Sequence, residues 1–303
     1  MFKHLLVPLD GSHLAESALL PAGELAARLG ASVTFVHVIE RGAPAQVHGD
    51  RHLVTAVQAE GYLNEIAQRA PFKGLRAVTH VHNAEVSDVA QSIAEHSAEL
   101  VPDLIVMTTH GRGGARRLLF GTIAQQVIAM GKTPVLMVRP TGQKEAPDAR
   151  TGDWRIILAP INGDPSHEKG LGIAAELAGA LHSRIHLLMV VPRLGDLHGA
   201  EAATGALMPS ATRIKLEMDS MSAREYVESR ARDLETAAVT ASSETVRGDP
   251  ADAIVEAVGR VSADLVVMGT HGRAGVDAFW SGSVAPQVVA RTNVPLLLLP
   301  LKE

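Results

Sequence analysis

Short apolar runs alternate with longer stretches of helical period, and half-way along the chain the order begins again. Lys3–Leu9 reads as a buried strand ended by Asp10-Gly11-Ser12, and a helical pattern follows to about Leu29, with Pro21 kinking it or sitting near its first turns. Ser32–Ile39 is a β-branched second strand. A polar loop, Arg41–Asp50, leads to a helix through Ala70; Leu75–His82 is a third strand with the alternation of an edge, and Val86–Leu100 is a helix. Asp103–Thr109 is the fourth strand, a helix runs from Thr122 to about Met130, and Pro134–Val138 is a short fifth strand.

Thr141–Asp153 has no apolar period and carries Gly, Pro and charges, which predicts a linker. The series then restarts with strand Arg155–Ile161, helix Pro165–Leu181 and strand Arg184–Val191. Arg193–Ser210, rich in Gly and Ala, predicts a loop longer than its counterpart, followed by a helix over Thr212–Leu234 and a weak strand over Val239–Val246. A turn and helix (Gly248–Val261), a strand (Asp264–Thr270), a helix (Ser283–Arg291) and a strand (Pro295–Leu299) complete the second copy. Setting Asp103–Val138 against Asp264–Leu299 gives 16 identities in 36 positions without a gap, so the chain is an internal duplication. The expected domains are 1–140 and 154–303, joined by the linker 141–153. Strand–helix alternation implies parallel sheets with right-handed crossovers and helices on both faces. Such sheets take ligands beyond the carboxyl ends of their strands, where the strand order reverses.

Composition narrows the function. Of 303 residues, 46% are hydrophobic and 20% charged, which is globular. Aromatics make up only 3%, which builds the core from Leu, Val, Ile and Ala and argues against stacking on single-stranded nucleic acid. A net charge of −5 leaves no general basic face for DNA, and the lack of cysteine excludes disulfides and thiolate metal sites. No apolar run nears membrane-spanning length and the N-terminus lacks a signal core, so a cytoplasmic protein without membrane or nucleic-acid partners is expected.

The densest chemistry lies after the two fourth strands. Both copies reach Thr-His-Gly-Arg, at Thr109–Arg112 and Thr270–Arg273, and both close on Gly121-Thr122 or Gly282-Ser283 before a helix. Glycines let backbone amides approach a ligand, and the helix start that follows offers free N–H groups and a favourable dipole to an anion. Each copy is therefore a candidate phosphate cradle.

These residues resemble the universal stress protein family, two such domains in tandem, almost end to end. The family pattern is Gly-x2-Gly-x9-Gly-[Ser/Thr] after a strand with an acidic start, plus an early strand ending Pro-x-Asp. The second half carries Gly269, Gly272, Gly282 and Ser283; the first carries Gly111, Gly121 and Thr122 with Thr108 in place of the leading Gly. The first keeps Pro8-Leu9-Asp10, whereas the second has Pro160-Ile161-Asn162. The resemblance implies a Rossmann-like (adenine nucleotide alpha hydrolase-like) α/β fold in each half, with a five-stranded parallel sheet of order 3-2-1-4-5. It also implies ATP, with or without Mg²⁺, between strands one and four, adenine near Ile39 and Val190, and loop contacts from His110, Gly114, His271 and Gly275. Pairing of domains through their fifth strands, within the chain or in a homodimer, is implied as well.

Electrostatics and glycine geometry point to different halves. The first loop has Arg112, Arg116 and Arg117; the second has Arg273 but also Asp277, with the fuller glycine set. Three functions remain open: a nucleotide-dependent stress-response module, a weak ATPase, or a scaffold with decayed sites. A dinucleotide fingerprint fails at Arg116, and a P-loop ending in Gly131-Lys132-Thr133 fails at Gln126. His110 and His271 have no recurring carboxylate to orient them as bases, which predicts no dedicated catalysis. His80 and His82 share a strand face and are expected as a surface pair on an edge. His48 and His52 have helical metal spacing but lie in a polar loop. Asp103 and Asp264 are expected to cap the turns before their strands.

Overall fold

The computed structural model describes residues 1–44, 46–47, 50–109, 122–130, 132–140, 154–164, 169–197, 199–271 and 284–301. The first half is built from β1 (His4–Pro8), α1 (His13–Glu16), α2 (Leu19–Leu29) and β2 (Ser32–Glu40), then a small hairpin of β3 (Gln46–Val47) and β4 (Asp50–Arg51). It continues with α3 (Ala56–Gln68), β5 (Ala77–Val86), α4 (Val89–Leu100), β6 (Leu104–Thr108), α5 (Thr122–Met130) and β7 (Val135–Val138). The second half gives β8 (Ile156–Ile161), α6 (Lys169–Leu181), β9 (Arg184–Val191), α7 (Gly199–Leu207) and α8 (Pro209–Thr236). After these come β10 (Ala241–Arg247), α9 (Pro250–Val261), β11 (Leu265–His271), α10 (Val284–Arg291) and β12 (Leu296–Leu301). The expected linker lies outside the described residues.

The chain gathers into two compact units, whose described residues fall within 1–140, 270–271 and 295–301 in one and within 154–269 and 284–294 in the other. In the first unit β5-β2-β1-β6-β7 lie side by side and parallel, the expected 3-2-1-4-5 order. There β12 adds antiparallel to β7, with Leu297 opposite Leu136. In the second unit the neighbours β10-β9-β8-β11 repeat the 3-2-1-4 part of that order, again parallel.

Alternation along β2 shows how the layers form. Phe35 meets Phe72, beyond α3, edge-on at 4.8 Å. Val36 and Val38 look to the other face, which α4 covers. The apolar β strands are near-continuous because helices bury both of their faces: Leu5, Leu6, Val7, Ile105 and Val106 are all buried.

Local chemistry sets the boundaries that periodicity alone misplaced. Thr55 accepts from the Gln58 amide (3.3 Å), so α3 starts at Ala56 and the preceding residues stay extended or in turns. Asp88 accepts from the Gln91 amide at 2.9 Å, so Val86 ends β5 and α4 begins at Val89. The helix expected after β1 is two pieces, broken at Ser17-Ala18, with Pro21 in the first turn of α2. The loop expected over Arg193–Ser210 is mostly structured: a 3₁₀ turn over Leu194–Asp196 and then α7. Its alanines are strong helix formers, and Gly205 lets the helix close on Leu194, whose Cδ1 lies 3.1 Å from where a Cβ would stand.

Asp103 and Asp264 correct another expectation. Rather than capping a turn, Asp103 accepts from the amides of Lys3 (2.6 Å) and His4 (3.0 Å), and Asp264 from those of Arg155 (3.0 Å) and Ile156 (2.9 Å). The reciprocal bonds run from Asp103 N to His4 O and from Asp264 N to Ile156 O. Each aspartate thus fastens the start of its fourth strand to the start of its first. Replacing Asp103 or Asp264 by Ala is expected to lower stability by about 1.5–3 kcal/mol, the range for hydrogen bonds to a charged group. Urea unfolding of each variant measures this, and an unchanged midpoint would remove the clamp's role.

Candidate functional site

In each half the ladder between first and fourth strands is short. β1 and β6 pair only at Leu5–Leu104 and Leu6–Ile105, and β8 and β11 at Ile157–Leu265 and Leu158–Val266. Beyond these pairs the strand ends separate. In the first unit the space left is a partly open cavity at the carboxyl end of the sheet. Pro8, Leu9 and Asp10 form its floor at the end of β1. Met107 and Thr108 close it from β6, Val36 and Val38 from β2, Val89 and Ile93 from α4. Ile123 and Ala124, in the first turn of α5, also line it, so amides not yet bonded within the helix lie at the cavity.

The floor is a tight turn. Asp10 Oδ1 accepts from the Ser12 amide (2.9 Å) and from Ser12 Oγ (2.7 Å), while that hydroxyl accepts from the Ala15 amide and caps α1. The other carboxylate oxygen of Asp10 has no bond among the described residues. Gly11 has φ +87°, and a Cβ there would lie 2.8 Å from Leu53 Cγ. His37 secures this arrangement: Nδ1 donates to the Leu9 carbonyl at 2.7 Å, and Nε2 stands 3.2 Å from the Leu53 carbonyl. Burial pushes its pKa below the ordinary imidazole value against the pull of those carbonyls. A neutral ring has one N–H, and the shorter contact assigns it to Nδ1.

The predicted residues divide accordingly. Pro8, Asp10 and Thr108 come together around the cavity. Ile39 is buried and does not line it, whereas its neighbours Val38 and Glu40 do. Thr122 begins α5 as expected. His110, Gly111, Arg112, Gly114, Gly121, Gly272, Arg273, Gly275, Gly282 and Ser283 lie outside the described residues. In the second half Pro160 lies in β8 and Gly269 in β11, with His271 as the last residue of that strand. Asn162 Oδ1 accepts from the Asp164 amide at 3.2 Å, the same turn that Asp10 makes. Strand register revises one equivalence. Pro8 is opposite Val36 and Pro160 opposite Leu188, a shift of 152 on both strands, so Ile39 corresponds to Val191 and Val190 to Val38. By the same shift His37 corresponds to Met189, whose methyl lies 2.9 Å from the Cβ position of Gly163 (φ +78°).

Sequence reading missed His37, Val89 and Ile93 as cavity residues. Only the register of β2 against β1, and the way α4 crosses the sheet, bring them to the cavity. Of the pair His48 and His52, His48 lies outside the described residues; His52 follows β4 (Asp50–Arg51), and its Nδ1 donates to the Pro44 carbonyl at 3.1 Å. His80 and His82 share a face of β5 as expected, but they are not a simple surface pair. The ring of His96 from α4 meets both, at centroid distances of 4.6 and 4.9 Å.

A parallel α/β sheet with order 3-2-1-4-5 and a cavity at its point of reversal defines the Rossmann-like α/β class. The chain matches the family model described as the universal stress protein family twice, over residues 1–139 and 153–300. Universal stress protein MJ0531 of Methanocaldococcus jannaschii is 29% identical over 147 residues, 46% of this chain and 83% of that protein. YxiE, a universal stress protein of Bacillus subtilis, is 29% identical over 151 residues, 46% of this chain and 100% of its own. The crystal structure of a universal stress protein from Archaeoglobus fulgidus superposes with a TM-score of 0.71 at 16% identity, covering 99% of this chain and 97% of that one. The chain belongs to the universal stress protein family and carries two of its domains in tandem.

Gly11→Ala tests the cavity floor. It is expected to cost about 1–2 kcal/mol from the left-handed backbone, with displacement of Leu53 in addition. Gly163→Ala carries the same backbone cost, but the flexible Met189 thioether yields more readily. Chemical denaturation of both variants should rank Gly11→Ala as the more damaging; the reverse order would contradict this packing.

Proposed function

We propose that the first half binds an adenine nucleotide, ATP with or without Mg²⁺, and that the protein acts as a nucleotide-dependent regulatory module of the stress response. The observation that carries this reading is the cavity itself. Its middle is apolar, formed by Val36, Val38, Met107, Val89 and Ile93, and suits a purine. Asp10 borders it with a carboxylate oxygen left over from its turn, placed to accept from ribose hydroxyls. The first turn of α5 supplies amides for a phosphate. The residues therefore fit the nucleoside and its first phosphate. The glycine loop expected to hold the rest is Gly111 to Gly121.

We assign the nucleotide to the first half because Asn162 removes the charge and Met189, in the place of His37, packs onto Gly163. Binding rather than turnover is the proposed activity, since no base is oriented by a carboxylate at the cavity in the described residues. A cytoplasmic location is proposed with it; no helix among the described residues is long and apolar enough to cross a membrane. Pairing through the fifth strands of the two halves is also proposed, supported by the antiparallel register of Leu296, Leu297 and Leu298 on Met137, Leu136 and Val135.

Calorimetry with ATP and Mg²⁺ is expected to show one site, weakened about tenfold or more by Asp10→Ala through loss of a charged hydrogen-bond acceptor, and unchanged by Asn162→Ala. Absence of binding heat, together with purified protein that releases no nucleotide by mass spectrometry, would end this reading.

A further inference from the structure

Three histidines meet between the edge strand β5 and helix α4. His80 and His82 come from β5, and His96, 6% exposed, from α4. Glu99 Oε2 lies 3.1 Å from His96 Nδ1 and accepts a hydrogen bond from its N–H, which leaves Nε2 of a neutral His96 as an acceptor. His82 Nδ1, 2.9 Å from that Nε2, is then the donor. His80 Nε2 is buried with no hydrogen-bond partner. Among the described residues no three such groups converge to hold a metal ion, so the chemistry left to the cluster is protonation.

The cluster is joined to the cavity by a single helix face. Val89, Ile93 and His96 follow at i, i+4 and i+7 on α4, one stripe of the helix. Its first two members wall the cavity and its third meets the two β5 histidines. The sheet repeats the link: Val36 and Val38, which line the cavity, are the register partners of His80 and His82. Whatever moves α4 against β5 therefore moves the cavity wall.

We propose that the His80–His82–His96 cluster is a proton-sensitive latch that holds α4 on β5 when neutral and loosens the cavity wall when it takes up protons. One proton can be borne as a His82 imidazolium that keeps its bond to His96. A second, on His96 Nε2, sets two N–H groups face to face and breaks the bond; on His80, it puts like charge beside the other rings. The groups reaching His80 are His96 and Glu99 from α4 and His82 from its own strand, and burial with the neighbouring imidazoles holds its pKa below the ordinary value despite Glu99. From the other packed elements, β2 places Val36 and Val38 alongside, and α3 brings Asn64 onto Thr79. The sign follows: an opened or unfolded cluster protonates first, so the latch is intact above about pH 6.5 and is lost progressively as pH falls below it.

The regulatory meaning rests on the nucleotide reading, but the latch does not, and one experiment separates them. Hydrogen exchange of residues 89–100, corrected for the intrinsic pH effect, is compared at about pH 7.5 and about pH 5.5, on either side of the ordinary imidazole value. Wild-type protection is expected to fall severalfold from the higher to the lower pH, and His80→Gln/His82→Gln is expected to show a flatter response. Should that variant fold poorly, the ring-proton titrations of wild-type histidines by NMR give the same answer. Unchanged wild-type protection, or His80 titrating at or above the ordinary value, overturns the latch. ATP affinity read at the same two pH values is expected to fall with protection. Equal affinity at both overturns the coupling to the cavity, and no affinity at either overturns the nucleotide reading while protection still decides the latch.

Discussion

The carboxylate that opens each fourth strand fixes everything built at the opposite end of the sheet. Asp103 and His4 are 99 residues apart, and Asp264 and Ile156 are 108 apart, so chain connectivity does nothing to set their register. Closing loops of that length costs entropy, which the two-amide clamp and its reciprocal backbone bond help to offset. With His4 held against Asp103, Leu5 falls opposite Leu104, and counting on by the same shift of 99 brings Leu9 level with Thr108. A slip of one residue would turn the apolar side chains of β1 to the wrong face. It would also carry Asp10 away from the end of β6. The cavity is thus a consequence of register at the far edge of the same two strands.

Much of this was legible in the sequence. Buried parallel strands leave continuous apolar runs, and the repeated fourth strand, with its following helix, betrays a copied unit without any partner sequence. Arg184–Val191 and Thr122–Met130 have the bounds that the pattern gives. Boundaries that depend on one side-chain bond were harder, as at Thr55 and Asp88. α7 was hidden because glycine and alanine together read as a loop, although alanine favours helix and Gly205 serves close packing. The cavity was legible at its polar floor, where Pro8 and Asp10 stand out, and at Thr108. Its apolar walls were not, because no sequence pattern distinguishes a valine that lines a crevice from one that fills a core. The placement of Val190 slipped by one residue for the same reason: only cross-strand register could supply it.

The histidines show the limit most clearly. His37, His52, His80, His82 and His96 are scattered over 60 positions (96 − 37 + 1), with no shared motif. Parallel pairing of β1, β2 and β5 sorts them into two groups. His37 ties the end of β1 to the segment at Leu53, and the other three, apart from His52, gather under α4. Burial above all draws His37, in the first group, and His80, in the second, towards their neutral form. The bonds of His37 and of the His82–His96 pair each call for one tautomer, which makes each a geometrical constraint as well as a contact.

Comparing the two copies separates what the fold requires from what the cavity uses. The aspartate clamp is kept in both, with two amides each, and so is the left-handed glycine after the first strand, Gly11 and Gly163. The turn at that glycine is also kept, because an asparagine oxygen accepts from the second amide beyond it as well as an aspartate oxygen does. The charge on Asp10 is thus surplus to the turn, and His37 is surplus to the strand, since Asn162 and Met189 serve the architecture without them. Residues that the architecture can spare, set around the floor of a cavity, are the ones to which the proposed nucleotide gives a role. On that argument the second copy preserves the scaffold, and the first adds to it the groups that fit the nucleotide proposed for its cavity.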